Sequence, residues 1–374
     1  MGRRITDDQL GTCYTCGRKT HLVSNCNNES CHRRMVQCEY CSDSFFGTCS
    51  EGCKGRVVNA GMIPKRKVEA NDVVEQSEEV YTTLDAYSAG HSTPSSSLFR
   101  QIELNTAALL PSGAHMVSGS MQGSLLRLLA SQTTSGRILE IGTFTGYATA
   151  CFLEGAALAG ELRGTQDSGS RECGPFVLSL ERDRRALGIA STHLKVMSEL
   201  GVGEDAAQEA RKLSSGPIID FEHDSISFSY KGIAGCELLR VNDALATVEE
   251  MASSDMKLSP FDIVFVDADK TRLMEYVDVL VKSDRLLKKG GLILVDNVLW
   301  KGLVLNANND GFDSSDESTP PTGSNEEKEL LKKNRRARKL AMKMHAFNRE
   351  VVNDERVEVL MMPIRDGLSL IRKR

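Results

Sequence analysis

Arg137-Ile138-Leu139-Glu140-Ile141-Gly142-Thr143-Phe144-Thr145-Gly146-Tyr147 decides the fold. A short apolar strand runs into a turn with glycines at 142 and 146, and an alanine-rich helix follows from Tyr147. Outward from this unit the alternation repeats. Phe176–Glu181 reads as a strand with a helix from Asp183, and Glu237–Val241, Phe261–Val266 and Gly291–Val295 read as further strands. Strands alternating with helices predict an α/β fold with a doubly wound, mostly parallel, Rossmann-like sheet. Ligands of such sheets bind beyond the strand C-termini, where this chain concentrates Gly, Asp and Asn.

Three sets of residues at those ends suit chemistry. The spacing Glu140-x-Gly142-x-x-x-Gly146 lets backbone approach a ligand closely. Glu181, at the end of the next strand, can accept both ribose hydroxyls of an adenosine. Together they indicate a nucleotide-type cofactor, either NAD or the adenosyl half of S-adenosylmethionine; pairing of Glu181 with Arg182 or Arg184 is the competing structural role. Val266-Asp267-Ala268-Asp269-Lys270 and Val295-Asp296-Asn297-Val298-Leu299-Trp300 each follow an apolar strand. Asp267, Asp296 and Asn297 are hard oxygen ligands that could hold one Mg²⁺-like ion with positions open for substrate oxygens.

These segments resemble the cation-dependent O-methyltransferases, the caffeoyl-CoA and catechol O-methyltransferase group. The resemblance runs from about residue 80 to the C-terminus. It includes His115-Met116-Val117-Ser118 before Gln122-Gly123, then Asp243-Ala244-Leu245, Phe347-Asn348, and Leu360-Met361-Met362-Pro363-Ile364-Arg365-Asp366-Gly367-Leu368. It implies a class I methyltransferase domain using S-adenosylmethionine. Met116, Ser118, Glu140, Gly142, Tyr147, Glu181, Ala244 and Asp269 would line the S-adenosylmethionine site. Asp267, Asp296 and Asn297 would bind the divalent cation, Lys270 would be the catalytic residue assisting deprotonation, and Trp300 would wall a flat substrate. Asn242 stands where that family often has Gly, a local departure in backbone geometry. A homodimer through this domain is the expected assembly, and a non-catalytic scaffold is the competing class.

The other end of the chain is different. Of eleven cysteines, eight lie between Cys13 and Cys53, as Cys13-x2-Cys16, Cys26-x4-Cys31, Cys38-x2-Cys41 and Cys49-x3-Cys53. Four short-spaced pairs suit two structural, tetrahedral Zn²⁺ sites. Sequential sites would take the first four and then the last four cysteines; a cross-brace would alternate the pairs. His21 or His32 could replace a thiolate in either scheme. The segment is too small and polar for an apolar core, so metal would supply most of its folding energy, and an oxidised disulfide knot is the competing reading. Gly11 to Cys53 resembles the cysteine-rich C-terminal region of rhodanese-type tRNA uridine hydroxylases over roughly residues 3–66, without the rhodanese domain that precedes it there.

The expected organisation is a zinc-binding module at 1–66, a linker at 67–97 with tether-like composition from 54 to 78, and a methyltransferase domain at 98–374. Insertions are expected near 161–175, 201–235 and 304–327, the last acidic and disordered in character. Within 201–235, Ser225–Tyr230 alternates like a strand and suggests a small hairpin. No apolar run is membrane-length, and no secretory signal is evident, so a reducing, cytoplasmic setting is expected. The formal charge of −5 argues against a generally basic nucleic-acid binder.

Two methyl acceptors follow. One is a small hydroxylated molecule, a catechol or caffeoyl-CoA-like phenylpropanoid. The other is 5-hydroxyuridine in tRNA, whose 5-hydroxyl and 4-carbonyl are vicinal, as in a catechol. Residues 71–374 carry 35 basic and 44 acidic residues, which favours the small molecule. Residues 1–70 carry 11 basic and 7 acidic, with Lys65-Arg66-Lys67 able to meet phosphate, which favours tRNA.

Overall fold

A computed structural model describes the chain apart from residues 1–10, 14–18, 21–22, 29, 32, 38–40, 43–44, 46, 60–83, 165–169, 171, 216–220, 255–257 and 308–324. The chain divides into two compact units, Met1–Tyr87 and Ser88–Arg374.

In the first unit, β1 (Gly11–Thr12) pairs antiparallel with β2 (Lys19–Thr20), and β3 (Val23–Asn25) pairs with β4 (Arg34–Val36). Strands this short cannot bury a face, and the buried cluster here is Cys26, Met35 and Cys49. A helix, Glu51–Asn59, takes up the start of the stretch expected to be a tether. Its reason is burial: Val57 is buried one turn beyond Cys53, so the chain winds on from the cysteine pair. The remainder of that stretch lies outside the described residues, as do positions 67–83 of the expected linker, while Leu84–Gly90 is helical.

The second unit carries an eight-stranded sheet. Its strands are β5 (Arg137–Ile141), β6 (Phe176–Glu181), β7 (Ser225–Tyr230), β8 (Ala234–Arg240), β9 (Phe261–Val266), β10 (Leu287–Asp296), β11 (Val357–Met362) and β12 (Leu368–Lys373). The order is β11-β12-β10-β9-β5-β6-β8-β7. The five strands β10, β9, β5, β6 and β8 run parallel, and β12, β11 and β7 join antiparallel at the two edges. This is the doubly wound, class I methyltransferase arrangement.

Alternation along each parallel strand feeds two cores. Ile138 enters one cluster with Leu98, Leu126, Phe152 and Leu194. Leu139 and Ile141 point the other way, to Leu178, Val264, Tyr276, Leu280 and Phe347. Helices on both faces, and not one, are what make every residue of β5 and β9 buried.

The 201–235 stretch is not a bare insertion. It contains the helix Glu204–Arg211, whose Ala206, Ala207 and Ala210 are buried. Small alanines let that helix lie close to Ser97–Leu109, where Asn105 Nδ2 donates to the Ala210 carbonyl at 2.8 Å. The expected hairpin is present: β7 returns into β8 through Lys231 and Gly232, both at positive φ. The 161–175 segment begins as helix, to Arg163, and most of 304–327 lies outside the described residues. The described part of its far end opens the helix Asn325–Val352.

Candidate active site

The chain leaves β5 towards β6 and β8 on one side, then returns to β9 and β10 on the other, so its topological switch falls between β5 and β9. Such switch points open a crevice at the strand C-termini. There the loops nearly touch: a Cβ on Gly142 (φ +108°) would stand 3.0 Å from the Asp267 carbonyl oxygen, so only glycine fits. Non-glycine residues at positive φ gather at the same end: Phe144 after β5, Asp269 after β9, Asn297, Trp300 and Lys301 after β10, and Arg365 between β11 and β12. Left-handed backbone costs free energy for such residues and concentrates where function demands a geometry.

The 297–302 and 363–367 loops are laced together. Val298 N donates to the Gly367 carbonyl at 3.1 Å, Leu299 N to that of Asp366 at 2.9 Å, and Lys301 N to the Asp366 carboxylate. The helix Asn325–Val352 clamps the same loop, accepting from Trp300 Nε1 at the Ala337 carbonyl (3.0 Å) and donating from Asn348 Nδ2 to Val298 O (2.9 Å). Trp300 is therefore fixed by its polar edge.

Asp267, Lys270, Asp296 and Asn297 come together at the ends of β9 and β10. Lys270 Nζ lies 2.7 Å from Asp267 Oδ1 and donates to the Asp296 carbonyl at 3.0 Å. Asp296 is buried, and its Oδ1 accepts from Asn297 N at 2.7 Å. Burial first, and the neighbouring Asp296 charge next, push the Asp267 carboxyl up to about 6, against the pull of Lys270. One carboxylate and one backbone carbonyl meet the ammonium, with the Asp296 carboxylate and Asn297 next in the chain, hard oxygen donors of the kind a divalent cation takes. The other end of β9 makes the contrast. Asp262 receives Thr134 Oγ1, Ser135 N and Oγ, Arg137 N and Lys288 Nζ within 3.0 Å, so it is a satisfied structural carboxylate.

Glu140 is fully buried in β5. Its Oε2 accepts from Thr149 Oγ1 and from Ser179 Oγ, while Oε1 has no hydrogen-bond partner. Burial raises its carboxyl to about 8, the two hydroxyls opposing. An orphaned buried acceptor under the glycine turn fits a donor group on a bound cofactor. Glu181 is held by backbone amides: Phe144 N on Oε2 at 2.9 Å, and Arg182 N and Asp183 N on Oε1 at 2.7 and 2.9 Å. Arg184 instead bonds the Phe221 carbonyl. A carboxylate has about four acceptor sites, so capacity remains on Oε2.

The remaining cofactor-site residues are placed differently from one another. Ser118, the residue before helix Gly119–Ser131, is buried, and Met116 ends the preceding turn with its side chain half-exposed beside Phe144 and Gly113. Ala244 opens the helix capped by Asp243, which accepts Ala246 N. Asp269 is engaged by Arg272, whose guanidinium also grips Asp243 at 2.9 and 3.0 Å. Tyr147 does not send its ring to the strand ends. It packs 6.0 Å from Phe99 and against Gly123, lining a cavity of about 230 Å³ with Ser95, Arg127 and Glu154. Sequence reasoning missed the Arg272 clamp, and the pattern Asp269-x-x-Arg272 was the available signal.

In the first unit, the Sγ atoms of Cys26, Cys31, Cys49 and Cys53 lie within 4.8 Å of one another and can hold a metal ion. Cys31–Cys49 is 3.6 Å and Cys49–Cys53 is 3.7 Å. A thiolate tetrahedron about 2.3 Å from zinc has edges of about 3.8 Å. Cys49 N and Asn28 Nδ2 donate to the sulfurs of Cys26 and Cys53 at 3.3 and 3.2 Å, as supporting bonds to thiolates do. The second pair thus joins the fourth, which selects the alternating, cross-braced scheme for this site. Cys13 and Cys41 are buried, while their pair-mates Cys16 and Cys38 lie outside the described residues, as do His21 and His32.

Sheet order and the crevice at the strand ends are those of the class I, Rossmann-like methyltransferase fold. Residues 219–374 match the family described as O-methyltransferase, and residues 2–54 match the one described as rhodanase C-terminal. The O-methyltransferase ankF of Aspergillus thermomutatus is 26% identical over 79% of this chain and 94% of its own. A tRNA uridine(34) hydroxylase of Cronobacter sakazakii is 44% identical over 54 residues, 14% of this chain and 16% of that protein. The SAH-bound methyltransferase PaMTH1 of Podospora anserina shares the fold at a TM-score of 0.51 and 21% identity, covering 81% of this chain and 99% of its own. The chain thus matches an O-methyltransferase family over its C-terminal part and a rhodanase C-terminal family over its first residues, on a class I methyltransferase fold.

Proposed function

We propose that the strand-end site methylates a hydroxyl that has a second oxygen beside it, using S-adenosylmethionine and a divalent cation. The observation that carries this is the meeting of Asp267 and Asp296 at Lys270, with Asn297 bonded to Asp296, at the crevice bounded by Gly142. S-adenosylmethionine supplies the methyl group, and a bound cation lowers the pKa of the acceptor hydroxyl.

The chain's own residues do the rest. Asp267, Asp296 and Asn297 hold the cation. Lys270, fixed by the Asp267 carboxylate and the Asp296 carbonyl, stabilises the developing oxyanion as an ammonium and can take its proton when neutral. Glu140, Gly142 and Glu181 seat the methyl donor, while the anchored Trp300 holds a flat acceptor in place. Positioning of this kind supplies much of the acceleration in a displacement. In the other unit, Cys26, Cys31, Cys49 and Cys53 hold a structural Zn²⁺, and the remaining pairs a second one.

The first acceptor is a catechol or caffeoyl-CoA-like small molecule. A second, 5-hydroxyuridine in tRNA, is favoured by the match of residues 2–54 to a module carried by tRNA uridine hydroxylases. One assay separates them: purified protein with S-adenosylmethionine and Mg²⁺ is offered a catechol, caffeoyl-CoA and hydroxyuridine-containing tRNA, and products are weighed by mass spectrometry. A methyl group on the small molecules alone sinks the tRNA reading. None on any acceptor, with S-adenosylmethionine still bound, identifies a scaffold.

A further inference from the structure

The helix Asn325–Val352 concentrates positive charge on one stretch of the chain. Between Leu330 and Arg349 there are eight basic residues and no acidic one, in a chain whose formal charge is −5. Ala341, Met344, Phe347 and Val351 are buried, while Arg336, Arg338, Lys339, Lys343 and Arg349 are exposed. Arg336, Lys339 and Lys343 follow one another at three and four residues, so they share one outward row with a cation on each turn, about 5.4 Å apart. A solvated helix face gains from opposite charges at i and i+4, and like charges at that spacing destabilise it; Arg335–Lys339 and Lys339–Lys343 are such like pairs.

Its location is specific. Ala337, between the cations, accepts the Trp300 indole, and Asn348 holds Val298, so the row stands on the helix that clamps the loop following Asn297. Lys301, next to Trp300 in the chain, is exposed as well. The overall acidic balance therefore conceals a basic track on the helix that holds the Trp300 loop.

We propose that the Arg336–Lys339–Lys343 row is a phosphate track for RNA, holding the backbone of a single-stranded loop while one base enters the site. Regularly spaced cations suit a strand of phosphates better than a single anion, and bases whose chemistry is done by an enzyme leave the stack to reach it. This rests on the tRNA reading above and gives it the contact surface that the chain-wide charge count hides.

The test compares the wild-type full chain with Arg336→Glu/Lys339→Glu/Lys343→Glu on two acceptors of the same chemistry: hydroxyuridine-containing tRNA and the free nucleoside 5-hydroxyuridine. The expected result is a KM for tRNA raised about tenfold or more with kcat little changed. The slope of log affinity against log salt should fall by about two, and nucleoside turnover should stay at the wild-type level. Should charge reversal prevent folding, the same three positions changed to Gln give the same readouts at smaller size. Wild type methylating tRNA, with the variants matching it in KM and salt slope, overturns the track and leaves the tRNA reading standing. Wild type methylating catechol but neither binding nor methylating the tRNA overturns both. Binding of anionic lipid vesicles in place of RNA overturns the track as well.

Discussion

The two units of this chain are held together by opposite means. In Ser88–Arg374 order comes from two apolar clusters on the faces of one sheet. In Met1–Tyr87 the buried cluster among the described residues is two cysteines and a methionine, and the strands are two or three residues long. One unit is built by excluding water, the other around four thiols placed to grip an ion. Each should fail under a treatment the other survives.

The largest expected effect breaks that comparison open. A strong zinc chelator should abolish protection of residues 11–59 in hydrogen exchange or limited proteolysis and leave the second unit intact, since structural zinc contributes about 10–16 kcal/mol to such modules. Unchanged protection would mean that Cys26, Cys31, Cys49 and Cys53 order the unit without metal. Next in size, Lys270→Ala should lower kcat by about 10²- to 10⁴-fold while the melting temperature barely moves, because Lys270 serves the site and not the core. Equal loss of stability and activity would make it a structural lysine.

A third effect concerns the carboxyl that the apolar unit buries. Glu140 is raised by burial from 4.5 to about 8, so its contribution to stability is complete below about pH 4.5 and is lost as pH rises through about 8. Glu140→Gln should flatten stability across that window in urea titrations, gaining most over wild type near pH 8. A parallel pH curve would show that Glu140 is not desolvated in solution. The smallest effect tests the laced loops. Gly367 has φ +89°, and a Cβ there would stand 2.8 Å from Leu299 N. Gly367→Ala should therefore cost about 1–3 kcal/mol, read as a lowered melting temperature with the zinc-dependent protection unaltered.

Much of this was legible in the sequence, for identifiable reasons. Apolar strands buried on both faces announce themselves as continuous runs, which is why β5, β6 and β9 stand where the residues placed them. Asp267, Asp296 and Asn297 were readable because parallel strands deliver their last residues to one crevice. The helix Glu204–Arg211 was not, since its buried face is alanine and resembles a polar insertion in composition. The direction of the Tyr147 ring was also hidden: position in a turn does not say which side of the helix start a side chain takes, and Phe99 and Gly123, which receive the ring, are distant in sequence. Pairing of the cysteines could not be read because spacing constrains each pair but not its partner. The basic helix was overlooked for a simpler reason, as net charge averages over the whole chain.

The interleaved cysteines also carry a consequence for the order of events during synthesis. The four ligands at Cys26, Cys31, Cys49 and Cys53 enclose Cys38 and Cys41 within their loop. A chain that has emerged only to Cys41 offers six thiols and no completed partner set for Cys26 and Cys31. An ion captured then by the nearest pairs would sit in the wrong tetrahedron and have to be surrendered when Cys49 and Cys53 arrive. With the proposed zinc, correct loading of this module would be a matter of timing, set by metal availability when the fourth pair appears, and early errors would be repaired by ligand exchange.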